Sequence, residues 1–300
     1  MALEVTISRI ADWHGLQVSY EPIGGGITNS NFRVCVEHPY AEYFVKIPGR
    51  GTENFIDREV ANAAANMAGE AGMGPRVHHF FRDSGVEVSE FVKSFRSCNN
   101  FDFQRRNIRG MAVDLYKRFH AGPLLDQTKT IFDMIDEHIE QAKRANITFP
   151  PDAVWLDCQY RLAKSSLEAS GIDLRPCFND PMPMNFMVNP TEDKMILIDY
   201  EYASNNDRCY DLGVWFGEMF FEEPVERELI ERYFGQVYEA TYARCQLHKA
   251  LSDIKWGYWS LIQMKQSLLP FDFCKYGAWK FQRARSVMHD WRWEKWLRLI

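Results

Sequence analysis

The sequence predicts an α+β fold of two lobes, a small β-rich one over residues 1–93 and a larger helical one over 94–300. In the first third, short apolar runs are cut by Gly, Pro, Asn and Asp at strand-like intervals. Beyond residue 95 the apolar positions recur at helical spacing, as at 108, 111, 112, 115, 116 and 119. The composition, 300 residues with 46% hydrophobic and 25% charged side chains, is ordinary for a globular chain of one large or two small domains. No internal repeat or low-complexity segment interrupts it.

Residues 16–23 read as a strand, followed by the turn Gly24-Gly25-Gly26 and a second strand over 31–37. His38-Pro39-Tyr40 breaks that strand, and 43–47 supplies a third, ended by Pro48-Gly49. The alanine-rich stretch 55–70 is helical and is stopped by Gly72 and Gly74-Pro75, after which 77–82 and 85–91 form a hairpin around Asp83-Ser84. Helices follow over 103–120, 131–146 and 151–170, the last terminated by Gly171. A polar, proline-containing stretch at 177–190 precedes a short strand at 195–199, and 207–300 reads as several helices. A cleft between lobes joined near 92–95 is the expected ligand site.

Composition excludes several classes of function. A net charge of −6, from 41 acidic and 35 basic residues without a basic tract, argues against general nucleic-acid binding. Apolar runs such as 195–198 fall far short of the ~18 residues of a bilayer span. The opening MALEVTISRIADWHGLQ lacks the basic start and apolar core of a signal peptide, so a cytoplasmic protein without a membrane span is expected. Seven scattered cysteines, never spaced CxxC, read as free thiols. Aromatic residues reach 14%, and six of the nine tryptophans fall between Trp256 and Trp296.

The stretch Ile23-Gly24-Gly25-Gly26-Ile27-Thr28-Asn29-Ser30-Asn31 places glycines between two strands, where free amides can approach phosphate oxygens and Thr28, Asn29 and Ser30 add donors. Taken alone, an ordinary flexible hairpin is the better explanation of such a loop, and no GxxxxGK[ST] loop occurs. Lys46 stands in the apolar strand Tyr43-Phe44-Val45-Lys46-Ile47, either as an edge-strand gatekeeper or as a buried cation with an assigned partner. The gatekeeper is the default; if the lysine points into the cleft, Glu59 in the following helix is the expected partner, the pairing by which kinase-like folds hold a lysine against the α- and β-phosphates. Within 178–203, Asp180 precedes Asn185 by five positions and Asp199 ends the apolar run 195–198. An aspartate leaving a buried strand is costly unless something binds it, and magnesium is the usual reason. Asp180 is then the acceptor of the substrate's hydroxyl proton, with Asn185 and Asp199 holding magnesium against ATP. Taken singly, Asn179-Asp180-Pro181 reads as a turn and Asp199 as a helix cap. Their joint order, behind a glycine loop and a strand lysine, favours phosphoryl transfer.

The segments at 25–31, 47–53 and 197–203, with Asn179-Asp180 and Asn185 between them, resemble the choline/ethanolamine kinase family, particularly its bacterial members. The resemblance runs from about Gly24 to Phe281 and continues through Asp211, Leu212, Gly213 and Glu218. It implies the bilobal protein-kinase-like fold shared with aminoglycoside phosphotransferases, use of ATP and Mg2+, and a small amino alcohol as acceptor. Gly25, Gly26, Thr28, Asn29, Ser30, Lys46 and Glu59 become the nucleotide-binding candidates. Trp256-Gly257-Tyr258-Trp259-Ser260-Leu261-Ile262-Gln263 resembles the tryptophan-pair helix that lines the choline pocket of that family.

Trp256 and Trp259, three apart, are neighbours on one helix face; with Tyr202, Tyr276 and the carboxylate of Glu218 they can form a cage for a quaternary ammonium. Simple core packing is the alternative for these tryptophans. Trp291, Trp293 and Trp296 read as the packed side of a terminal helix whose other side carries Arg292, Lys295 and Arg298. Two departures from the family stand out. Phe178 occupies the place of a histidine that braces the catalytic loop, and Pro181-Met182-Pro183-Met184 replaces a polar, glycine-containing stretch. The acceptor is thus expected to be choline, with ethanolamine, an aminoglycoside or a thiamine-like alcohol as alternatives. A non-catalytic choline- or nucleotide-binding protein is the reading from another class. His120 is expected to be structural, and His78-His79 to bind no metal without converging ligands.

Overall fold

Alternating side chains in the N-terminal region build a five-stranded antiparallel sheet in the order β1-β2-β3-β5-β4. Its strands are β1 (Val18–Ile23), β2 (Asn29–Val36), β3 (Ala41–Pro48), β4 (Val77–Phe81) and β5 (Val86–Glu90). The computed structural model describes residues 2–24, 29–49, 52, 55–267 and 269–300. Val34, Val36, Val45, Val86 and Val88 form one buried cluster with Leu3, Ile10 and Trp13. Leu3 belongs to helix α1 (Ala2–Arg9), which the sequence reading does not assign; its buried residues 3 and 6, with Ile10 just after it, fall at helical spacing. Helix α2 (Arg58–Glu70) follows β3 and is capped by Asp57, whose carboxylate accepts from the backbone N–H of Glu59 (3.1 Å) and Val60 (3.2 Å). Its buried residues are small, Ala64, Ala65 and Ala68 beside Val60, and just after it Gly72 takes a left-handed φ of +65°.

A second, three-stranded sheet pairs β6 (Arg96–Ser97) with β8 (Phe186–Asn189) and β9 (Lys194–Leu197). The Leu197 N–H donates to the Met73 carbonyl at 2.8 Å. The described chain accordingly divides into Met1–Ser97 with Asn185–Ala203, and Cys98–Met184 with Ser204–Ile300. The sequence reading places 185–203 with the helical part; strand pairing to β6 joins it to the first unit.

The second unit holds α3 (Arg106–His120), α4 (Ile131–Arg144), α5 (Ala153–Ala169), α6 (Arg208–Met219), α7 (Glu223–Phe234), α8 (Glu239–Gln266), α9 (Phe273–Met288) and α10 (Trp293–Leu299). Strands β7 (Leu174–Cys177) and β10 (Ser204–Asp207) pair antiparallel beside them. Helix α8 is buried almost all round and packs on α4, α6 and α9. Close approach of α8 and α9 needs two glycines. A Cβ on Gly257 would meet the Phe281 ring at 2.7 Å, and one on Gly277 would overlap the Ser260 hydroxyl. Trp293 and Trp296 are buried, but Trp291 precedes α10 and is 85% exposed, which corrects its assignment to the packed side. No helix among the described residues is long and apolar enough to cross a membrane.

His138 on α4 is buried and meets Gln141 Oε1 at 3.3 Å. Burial, aided by the Lys255 charge, pushes its imidazole down from 6.5 to about 3. Below pH 6.5 the unfolded chain therefore binds a proton that the native ring refuses, and stability falls as pH drops toward 3. Thermal melts across that window are expected to show His138→Gln flattening the dependence by about one proton.

Candidate active site

Lys46 lies on β3, which has β2 on one side and β5 on the other, so the edge-strand gatekeeper reading does not apply. Its Nζ is 3.2 Å from Asp199 Oδ1 and 3.4 Å from Glu201 Oε1. Burial alone would lower its pKa, but Glu201, Asp199 and Glu87 outweigh burial and hold the ammonium above the usual lysine range. Burial pushes the Glu201 carboxyl up against the pull of Lys46, and Asn29 Nδ2 donates to Glu201 at 2.7 Å. Glu59 is not the partner of Lys46: it is exposed on α2 and sits 3.6 Å from Arg82. The strand lysine instead meets two carboxylates that follow β9, with Asp199 held in left-handed backbone at φ +68°.

Asn185 ends the 3-10 turn before β8, and its carbonyl accepts from the Ile198 N–H at 2.9 Å, which fixes it beside the residue preceding Asp199. The two metal-ligand candidates, Asn185 and Asp199, are thus neighbours across the β8–β9 hairpin. Ser30 is exposed and pairs in register with Ile47. Gly25, Gly26 and Thr28 lie outside the described residues. Tyr202 also belongs to this unit, with its ring stacked on Phe55 at 6.5 Å.

In the second unit, the loop carrying Asp180 hangs from one buried carboxylate. Asp211, on α6 and fully buried, accepts from the backbone N–H of Phe178 (2.7 Å) and of Asn179 (2.6 Å). It also accepts from His120 Nε2 at 2.9 Å, whose Nδ1 meets the Tyr233 hydroxyl at 2.7 Å. Cys177 lies close enough for His120, Cys177 and Asp211 to be a conceivable metal cluster, but Asp211 is already committed to three donors. Asn179 adopts φ +65° and is gripped by β10, donating to Ser204 Oγ (2.8 Å) and accepting from Asn206 Nδ2 (3.1 Å). Strand β10 is Ser-Asn-Asn-Asp and wholly buried, because its side chains bond Lys129, Leu125, Ile131 and Arg244. No hydrophobic pattern marks it, so sequence reasoning misses it. Phe178 is fully buried.

Trp256 and Trp259 meet edge to face at 5.4 Å, and Trp259 meets Phe273 at 5.8 Å and Tyr276 at 6.0 Å. Burial, helped by the charges of Glu218 and Asp180, pushes the Tyr276 hydroxyl up. The Glu218 carboxylate, however, does not stand open for a ligand cation. It accepts from Lys280 and, at 2.8 Å, from Arg283, while Asp253 also pairs with Arg283. Burial would raise Glu218, but Lys280 and Arg283 prevail and lower it. Its assignment as the free carboxylate of the cage is corrected accordingly, since two buried cations already neutralise it together with Asp253.

The model of the choline/ethanolamine kinase family matches residues 20–285. The chain belongs to that family. Ethanolamine kinase 2 of Mus musculus is 23% identical over 303 residues, spanning 92% of this chain and 77% of that one. A choline/ethanolamine kinase family protein from Mesorhizobium loti superposes with a TM-score of 0.85 at 26% identity, covering 99% of this chain and 97% of that one. Choline kinase LicA from Streptococcus pneumoniae superposes at 0.80 with 22% identity, over 97% and 99% of the two chains. The fold is kinase-like and the chain is a kinase acting on a small-molecule alcohol.

Proposed function

We propose that the chain transfers the γ-phosphoryl group of ATP to the hydroxyl of a small amino alcohol, choline or ethanolamine, with Asp180 as base. The hydroxyl oxygen forms the new bond to the γ-phosphorus, the bond to the β,γ-bridging oxygen breaks, ADP leaves, and the hydroxyl proton passes to Asp180. The observation that carries this reading is the bracketing of the Asp180 loop by Asp211 and β10, in the unit that also holds the Trp256, Trp259 and Tyr276 rings. Asp211 fixes the backbone just before Asp180 and Asn206 holds the Asn179 side chain, which is how a base is kept aimed. Lys46, tied to Asp199 and Glu201, supports the nucleotide assignment, and the similar LicA has been solved in complex with AMP.

The donors at Asn185 and Asp199 are oxygens, without thiolate or imidazole, and Asp199 is 35% exposed; this set fits magnesium. Bound there, magnesium would neutralise phosphate charge. Aminoglycosides, which are polycations, are disfavoured because Glu218 and Asp253 are spent on Lys280 and Arg283.

ADP release is expected to rise on adding ethanolamine or choline and not on adding kanamycin. Trp259→Ala is expected to raise the amino-alcohol KM about tenfold or more while the ATP KM stays nearly constant, because a ring contact to the ammonium is lost. An unchanged amino-alcohol KM would make Trp259 a core residue and remove the aromatic support for this acceptor.

A further inference from the structure

The residue preceding the tryptophan pair on α8 is Lys255, a lysine only 1% exposed. Its Nζ lies 3.0 Å from the centroid of the Trp256 ring. The charges of Asp180 and Glu137 favour its protonated form, and those of Lys129 and Lys280 oppose it. Burial nevertheless pushes Lys255 well below the usual lysine range. Around the second ring the pattern repeats, since Lys280 Nζ lies 4.9 Å from the Tyr276 centroid while it holds Glu218. Two of the rings expected to cage a substrate cation thus carry lysine amino groups of the chain itself, and the carboxylate expected to balance that cation is spent.

A quaternary ammonium donates no hydrogen bond, so it is held only by ring faces within about 6 Å and by opposite charge. A nitrogen already 3.0 Å above Trp256 fills that volume in either of its protonation states, and in its charged state it also repels. An ammonium that carries hydrogens is smaller and can be held by oxygen acceptors, so it does not depend on that face.

We propose that Lys255 is a specificity-determining residue: seated on Trp256, it closes this ring to quaternary ammonium alcohols and selects amino alcohols whose nitrogen bears hydrogens. This deepens the amino-alcohol assignment and rests on it.

The test is ADP release by the full chain with ATP and magnesium over ethanolamine, N-methylethanolamine, N,N-dimethylethanolamine and choline. The wild type is expected to lose kcat/KM as methyl groups are added, with choline at least about tenfold below ethanolamine. Lys255→Met keeps the stem and removes the nitrogen, and is expected to raise the choline-to-ethanolamine ratio of kcat/KM about tenfold or more, chiefly through the choline KM. Lys255→Arg keeps a nitrogen-bearing side chain over the ring and is expected to retain the wild-type order. A ratio unchanged in Lys255→Met, with both alcohols still phosphorylated, would overturn the proposal and leave the amino-alcohol function standing. If no alcohol of the series is phosphorylated by any of the three proteins, the amino-alcohol function itself falls, and this proposal with it. Thermal melts check that the variants fold. Should Lys255→Met not fold, the wild-type series decides alone, and choline used as well as ethanolamine overturns the role of Lys255.

Discussion

Replacing Asp180 by asparagine is expected to lower kcat by about 10²–10⁴-fold, the usual contribution of a positioned general base. Asparagine keeps the size and one acceptor oxygen, so the loop held by Asp211 and Asn206 is left in place. What is lost is the capacity to take the hydroxyl proton as the oxygen attacks. Nucleotide affinity is expected to stay close to wild type, because Lys46 and Asp199, the groups proposed for the nucleotide side, are untouched. ADP release gives kcat, and calorimetry with ATP and magnesium gives the affinity. Wild-type turnover in this variant would refute Asp180 as the base; a parallel loss of ATP binding would point to a structural role.

Asp211→Ala is expected to be the most destabilising substitution near the site. It strands the backbone N–H groups of Phe178 and Asn179 and the ring N–H of His120, all buried around a fully buried carboxylate. Removing one member of a buried charged network typically costs about 3–5 kcal/mol, because the remaining groups stay desolvated without partners. A fall in Tm on the order of 10 °C is expected, read by scanning calorimetry. Activity is expected to fall further than unfolding alone explains, since Asn179 can then leave its φ of +65° and take Asp180 out of aim. If the folded fraction at 25 °C keeps wild-type kcat, the bracket does not position the base.

Much of this site is legible in the sequence because its residue types are conspicuous where they stand. A lysine inside Tyr43–Ile47 and an aspartate closing the run 195–198 contradict their apolar surroundings, so each demands a partner or a ligand. The partner's identity is not legible. Glu59 is the nearest carboxylate of a helical type, yet α2 turns it outward to Arg82 while the β8–β9 hairpin delivers Asp199 and Glu201 to Lys46. Pairing between segments about 150 positions apart depends on how the hairpin seats against Met73 and β6, which no local pattern encodes. Strand β10 escapes for a related reason: Ser-Asn-Asn-Asp resembles a loop until its side chains are seen bonding Asn179 and Arg244.

By itself the sequence determined that the chain is α+β, that its N-terminal sheet carries a lysine, that Asp180, Asn185 and Asp199 stand in the order phosphoryl transfer uses, and that aromatic residues crowd its C-terminal helices. These follow from periodicity and from polar residues in apolar company, which are local properties. Only the tertiary structure decided the charges around the rings. Glu218 was drawn to Lys280 and Arg283 on α9, and Lys255 was turned onto Trp256. Buried charges must find opposite charges or ring faces wherever helix packing places them, and that packing is set by the whole fold.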